Sequence, residues 1–475
     1  MKKLLSAAIA AVLAMPICAR ADAAADLAAV REDMAALRAS YEARLQSLER
    51  RLQSAEAALA AKPRTPETTT ATTTAAAAVP APPPPPTPTP TPATPPGTAS
   101  TANAFNPALS LVLSGLYAHT SRDPSDYAIA GFALPRDAPI GSGTRGFSLA
   151  ESELGLAASI DPWLRGAANI SIGGDGSVDV EEAYLQTTSL GNGLSLKAGR
   201  FLSAIGYLNA QHAHTWDFVD APLAYQAMLG TQYGDDGVQL AWLPPLDQYV
   251  ELGVELGRGR SFPGSDTGRN GPGMAALTAH TGGDLGVSHS WRAGVSLLHA
   301  KASEQGLAAS DAAGNRVDEL FDGATRVWVA DAVWKWAPNG NATRVNFKLQ
   351  GEYLQSTRKG DLVYDIGGAG IASTVRARQS GWYLQGVYQF MPRWRLGART
   401  ERLDPGAPEY GIGSGTIPVS EARPRKDSLM LDFSPSEFSR VRLQLARDRA
   451  RERAADTQWF LQYQMSLGAH GAHGY

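Results

Sequence analysis

Cysteine is almost absent from this chain, with Cys18 as the only one among 475 residues. Beyond the N-terminal region the sequence also lacks any apolar run of the ~20 residues that a membrane-spanning helix needs. Neither sign of charge dominates, because 43 Lys and Arg stand against 46 Asp and Glu. These absences exclude a disulfide-stabilised fold, a helical membrane protein and a basic nucleic-acid-binding surface.

Residues 1–21 have the pattern of a secretory signal peptide. Two lysines precede the apolar stretch Leu4–Met15, and small residues suited to cleavage follow it. Cleavage there removes Cys18 and leaves the mature chain without a thiol. A lipid-modified N-terminus at Cys18 is disfavoured, because Ile17 stands where such sites have a small residue.

Two segments of contrasting composition come next. Residues 22–62 contain no Gly or Pro, and their apolar residues follow heptad spacing with one four-residue step, which predicts a self-associating coiled-coil helix. An amphipathic helix lying on another surface is the alternative. Residues 63–102 are mostly Thr, Ala and Pro, with five consecutive prolines at Pro82–Pro86, and predict an extended solvated linker. Helix and linker would form a periplasmic stalk, and its contact with peptidoglycan stays open.

Residues 103–475 repeat one unit, about ten alternating apolar and polar residues followed by a turn. In Val345–Tyr353, for example, Val, Phe, Leu and Tyr share one face while Asn, Lys, Gln and Glu share the other. The pattern predicts an all-β transmembrane barrel of about 16 antiparallel strands in the cell outer membrane, in contact with lipid and lipopolysaccharide. The strands begin near Leu109, Phe147, Leu164, Val178, Leu194, Val238, Tyr249, Met274, Trp291, Val327, Val345, Trp382, Trp394, Ser428, Val441 and Trp459.

The connections between these strands alternate in length. Short ones suit the periplasmic side of an outer-membrane barrel, and long ones suit external loops. Long connections are predicted at Lys301–Gly323 and Ser356–Arg376, among others, and the third external connection, Leu202–Asp236, is the longest.

The motif Leu196–Phe201, Leu-Lys-Ala-Gly-Arg-Phe, precedes this third loop and resembles the strand before the in-folded loop of the phosphate-selective porin (porin O/P) family. The barrel, roughly 370 residues, resembles the sixteen-stranded trimeric porins, and the coiled coil is similar to that of sugar porins. The resemblance implies a Gram-negative homotrimeric porin whose third loop narrows a water-filled channel. On that basis the constriction and its facing wall comprise Arg200, His212, His214, Asp217, Asp220, Lys197, Glu151, Glu153 and Glu182.

The predicted lumen departs from the family in its charge. A phosphate channel needs a ladder of basic side chains, whereas this lumen is mixed, so phosphate selectivity does not carry over. Glu151 and Glu153 share one face of a strand and form either a negative stripe or ordinary wall residues. The opposed charges are Lys197, Arg200, Lys348, Arg395 and Arg399 against Glu151, Glu153, Glu182, Glu251, Glu255 and Glu352.

Other chemistry is weakly supported. His212 and His214 are candidate metal ligands together with Asp217 or Asp220, but histidines in a loop are more often ordinary polar residues. No cofactor is expected, and catalysis is disfavoured because nothing encloses the paired carboxylates in a dry pocket. The sequence therefore predicts passive diffusion of small hydrophilic solutes or ions. A metal-linked receptor would need 22 strands and a plug domain, and a structural envelope tether could use a barrel of eight strands.

Overall fold

The computed structural model describes residues 108–136, 140–266, 268, 270–311, 315–413 and 415–468. The predicted signal peptide, coiled coil and linker lie outside these residues. Within them, sixteen antiparallel strands enclose a lumen. In chain order the strands are β1 (Ala108–Thr120), β2 (Gly146–Leu149 and Ser152–Ser159), β3 (Leu164–Ile172), β4 (Val178–Thr187), β5 (Leu194–Leu202), β6 (Gly234–Trp242), β7 (Tyr249–Gly257), β8 (Met274–Leu285), β9 (His289–Ser310), β10 (Arg316–Trp336), β11 (Asn346–Tyr364), β12 (Ile371–Met391), β13 (Trp394–Asp404), β14 (Arg425–Ser436), β15 (Ser439–Arg449) and β16 (Asp456–Gly468).

The barrel closes through its first and last strands. β1 pairs with β16 from Ser110 opposite Gly468 to Thr120 opposite Gln458, and it also pairs with both segments of β2. Closure leaves no edge strand with unpaired backbone groups, as a spanning sheet in lipid requires. The predicted number of sixteen strands is confirmed. A metal-linked receptor would need 22 strands, so the barrel does not fit that alternative.

Side chains alternate between the two faces of the barrel. On β11 and β12, Tyr353, Trp382 and Leu384 point outward and are 39–44% exposed, whereas Glu352 and Tyr383 point inward and are buried. An apolar outer face and a polar inner face are typical of a barrel in lipid. The faces predicted for the strand at Val345–Tyr353 are therefore confirmed.

Two predicted external loops are instead mostly strand. Residues 301–323 and 356–376 belong largely to β9–β12, which run for 19–22 residues, and β11 and β12 are joined by a turn at 365–370. A membrane-spanning strand needs only about 9–11 residues, so these strands extend beyond the bilayer. Their inward side chains Leu307, Phe321 and Leu362 still bury apolar surface in one cluster, and this burial keeps the extensions in regular strand pairing.

The third loop, residues 203–233, lies inside the barrel. It contains the helix α1 (Leu223–Leu229), all seven residues of which are buried, and α1 ends at Gly230 with φ of 65°. Loop side chains such as Trp216 and Met228 pack in one apolar cluster with wall residues such as Leu298 and Leu354. No helix among the described residues is long and apolar enough to span a membrane.

Candidate pore constriction

Inward carboxylates of the wall hold the third loop by its backbone. Glu352 accepts the N–H groups of Tyr207 and Leu208 at 3.1 and 3.0 Å, and Glu401 accepts the N–H of Leu223 at 2.5 Å. Glu255 accepts the N–H of Ala204 and the hydroxyl of Ser203. Such charge-assisted hydrogen bonds are stronger than neutral ones. Glu255 and Glu352, which the sequence assigned to the charged lumen, thus position the loop.

Asp217 of the loop is bound by the basic side of the wall. Its carboxylate pairs with Lys348 and, at 3.3 Å, with Arg395, and the amide of Gln385 donates to it at 3.1 Å. Burial by itself raises the pKa of Asp217, but the charges of Lys348 and Arg395 outweigh it and hold the pKa below its usual range. Asp217 is therefore ionised at neutral pH.

Asp220 is held in the same way. It pairs with Arg399 at 2.7 Å and with Lys426 at 2.5 Å, and Gln444 donates to it at 2.9 Å. Burial again acts to raise the pKa, and Lys426 and Arg399 lower it below the ordinary value. Together with Asp217, this residue neutralises part of the basic wall.

The two histidines lie elsewhere, against the acidic wall formed by β2 and β4. Nδ1 of His212 is 2.9 Å from Glu181, and Nε2 of the same ring is 3.0 Å from Glu182. Nδ1 of His214 is 3.0 Å from Glu153, and the two imidazole rings stack with centroids 5.7 Å apart. Glu151 is within electrostatic reach of this group. Five of the nine predicted site residues meet here: Glu151, Glu153, Glu182, His212 and His214.

The predicted partnership of the histidines with Asp217 or Asp220 is wrong. Both aspartates are bound to cations of the basic wall, while glutamates surround the imidazoles. Burial by itself lowers the pKa of His212, but its hydrogen bonds to Glu153, Glu181 and Glu182 raise the pKa well above its ordinary value. The loop thus presents its acids to a basic wall and its histidines to an acidic wall.

A β-bulge brings in Glu181, which the sequence analysis missed. Asn169 of β3 faces Glu182 of β4, but its neighbour Ile170 faces Val180, so Glu181 is an extra residue in the ladder. In a regular strand adjacent residues point to opposite faces, whereas a bulge lets both carboxylates reach the same ring. The adjacent glutamates were the signal available in the sequence, but a bulge depends on the register with β3.

Lys197 and Arg200 lie on opposite faces of β5. Lys197 faces the lumen, where its ammonium lies 4.6 Å from the centroid of the Tyr184 ring. Arg200, three residues further on, pairs with Asp236 of β6 at 2.7 Å on the other face. Because strand side chains alternate with a period of two, Arg200 does not line the lumen, and its place in the predicted constriction is corrected.

The lumen is basic near the short turns. Eight inward-facing cationic residues lie within four residues of the strand ends that the short turns join, and five of them escaped the sequence analysis. Arg440 and Arg442 also reach the third loop, because Arg440 donates to the carbonyl of His214 and Arg442 to that of Trp216. Among the described residues, Glu251, Asp284 and Asp432 face inward in the same region. The eight cations are Arg165, Lys197, Arg292, Lys335, Lys348, Arg395, Arg440 and Arg442.

Comparisons with known proteins agree with this architecture. A model of the family described as phosphate-selective porin O and P matches residues 163–412. An uncharacterized protein of Aquifex aeolicus (strain VF5) is 31% identical over 350 residues, which cover 69% of this chain and 70% of that protein.

Solved structures resemble the barrel more distantly. The anion-selective porin from Comamonas acidovorans is 12% identical with a TM-score of 0.46, over 76% of this chain and 99% of that one. The outer membrane channel DcaP of Acinetobacter baumannii is 14% identical with a TM-score of 0.44, over 76% and 97%. Similarity this low says nothing about solute or assembly.

Proposed function

Because the chain belongs to the family of phosphate-selective porins O and P, we propose that its channel passes small anions in preference to cations. The protein is an outer-membrane porin, a channel for passive diffusion of small hydrophilic solutes. Family and fold describe a channel, and no catalytic step is proposed. In this proposal the third loop narrows the pore. Eight of the nine predicted site residues belong to the constriction and its wall, and Arg200 is left out because it lies on the outward face of β5.

The observation that supports anion preference is the excess of cations near the short turns. Eight inward-facing Lys and Arg stand there against Glu251, Asp284, Asp432 and, from the loop, Asp217. A lumen of low-dielectric walls concentrates counter-ions of the opposite sign, and rings of Lys or Arg are typical of anion pores. Anions would therefore accumulate at the end that the short turns form.

The test is the reversal potential of single channels in a potassium chloride gradient. We expect a reversal potential whose sign corresponds to chloride preference. The variant Lys335→Gln should move this potential towards zero, because it removes one lumen cation. Lys359→Gln is the matched control, since it removes the same charge from the outward face of β11, the strand next to Lys335. A potential of the opposite sign, or equal shifts in the two variants, would contradict the proposal.

The domain plan is part of the proposal. A signal peptide at 1–21 would be removed, a coiled coil at 22–62 would join three chains, and a linker at 63–102 would connect it to the barrel at 103–475. The heptad spacing of apolar residues supports self-association. The stalk would lie in the periplasm, where it could contact peptidoglycan, and the barrel would contact lipid and lipopolysaccharide.

A further inference from the structure

Donor atoms of the acidic wall and the third loop form a close group around His212. Nδ1 of His214 lies 3.0 Å from Oε2 of Glu153, which lies 3.3 Å from Nδ1 of His212, which in turn lies 2.9 Å from Oε2 of Glu181. From this geometry we propose that Glu153, Glu181 and His212 bind one divalent transition-metal cation of the zinc class, with His214 beside Glu153.

The donor atoms are of the right kind and spacing. Zinc prefers imidazole nitrogen and carboxylate oxygen at about 2.0–2.2 Å, so its ligand atoms stand roughly 3.3 Å apart in a tetrahedron. The two separations from Nδ1 of His212, 3.3 Å to Glu153 and 2.9 Å to Glu181, lie within a few tenths of an ångström of that value. Donor atoms of Glu153, Glu181 and His212 all lie within 4.8 Å of one another.

Glu153 is the buried group that points to a ligand. It is 6% exposed, and its Oε2 atom lies 3.3 Å from Nδ1 of His212 and 3.0 Å from Nδ1 of His214. A buried carboxylate needs a positive partner or a hydrogen-bond donor, and a metal ion in the cluster would take the place of the imidazole protons around this oxygen.

The surrounding hydrogen bonds orient His212 for this role. Nε2 lies 3.0 Å from Glu182 and 3.0 Å from the side-chain amide of Asn169, and Nδ1 on the other side of the ring faces Glu153 and Glu181. Glu182 is itself held by the N–H of Leu202 at 3.0 Å. A carboxylate behind a ligating histidine is the usual support of a zinc site.

Charge favours occupancy by a dication. Four carboxylates, those of Glu151, Glu153, Glu181 and Glu182, face two imidazoles, so the cluster stays negative even when both rings are protonated. A bound dication would offset this charge beside the pore. Cations crossing the constriction would then meet less attraction.

The experiment is equilibrium dialysis of the purified, chelator-stripped full chain against zinc chloride, with bound zinc measured by mass spectrometry. His470 and His473 are replaced by alanine throughout, so that this C-terminal pair cannot contribute. We expect one zinc per chain, lost in the double variant His212→Ala/His214→Ala. Glu182→Gln, which keeps all three ligands, should weaken binding about 10–100-fold. His119→Ala, on the outward face of β1, is the matched control and should bind as the parent does.

Zinc retained by His212→Ala/His214→Ala at the parent's affinity, or no bound zinc in the parent, would overturn the proposal. Heat-modifiable gel mobility shows whether each variant is folded, and Glu182→Gln tests the site without removing a ligand. Because bound metal is measured directly, the result does not depend on whether the channel prefers anions.

Discussion

Tyr225 of the loop helix donates its hydroxyl to Glu352 of β11 across 2.7 Å, and this contact joins α1 to the wall. Glu352 also accepts the hydroxyl of Tyr383 at 2.6 Å and two backbone N–H groups of the loop. One buried carboxylate therefore serves four donors, and three of them belong to the third loop.

Replacing this carboxylate should release the loop. Glu352→Ala leaves four donors without an acceptor, three of them buried, and each buried donor costs about 1–3 kcal/mol. We expect a lower unfolding free energy and noisier, larger single-channel currents. Asp361→Ala, an exposed residue of the same strand, is the control and should change neither quantity. Unchanged stability in Glu352→Ala would contradict this role.

Shortening the loop should widen the pore. Deletion of residues 212–220 removes the side chains that reach both the acidic and the basic wall, and single-channel conductance should rise. Folding is checked by the mobility of the unheated protein on a gel. Equal conductance would show that this segment does not line the constriction.

The two faces of β5 should differ in their effect on ion preference. Lys197→Gln removes a lumen charge, so the reversal potential in a salt gradient should shift towards cations. Arg200→Gln removes the same charge three residues away on the other face and should leave the potential unchanged. A larger shift in Arg200→Gln than in Lys197→Gln would show that the assignment of faces is wrong.

Asp217 should link stability to acid pH. Its pKa is lower in the folded chain than its ordinary 3.8, so its ion pairs stabilise the fold fully above that value and less as the pH falls through the folded pKa. The difference in unfolding free energy between parent and Asp217→Asn should be constant from pH 7 to about pH 5 and shrink below about pH 4. Urea unfolding in detergent across this range measures it. A difference that grows in acid would contradict the ion pairing.

The stalk should stabilise the assembly. Removal of residues 22–62 takes away the heptad segment, so the proposed trimer should dissociate at a lower temperature. Gel mobility after graded heating gives the midpoint, and a deletion within 63–102 of similar length is the control. An equally heat-resistant trimer without the helix would refute the coiled-coil role.

Much of the fold was predictable because it depends on local alternation. Strand number, the inward and outward faces of β11, and the position of the long third connection all follow from a period of two and from where turns occur. The same rule, applied strictly to Lys197 and Arg200, separates their faces without any structure. The lengths of β9–β12 were misjudged, because burial against loop residues extends strand pairing beyond the bilayer.

What the sequence by itself determined is a sixteen-stranded barrel with a long third connection, since lipid requires an apolar outer face on every strand. Only the tertiary structure decided which charges meet. The bulge at Glu181 depends on the register between β3 and β4. The partners of His212 and Asp217 depend on how the third loop crosses the lumen, which brings together residues far apart in the chain. Such contacts arise from packing in three dimensions and leave no periodic pattern in the sequence.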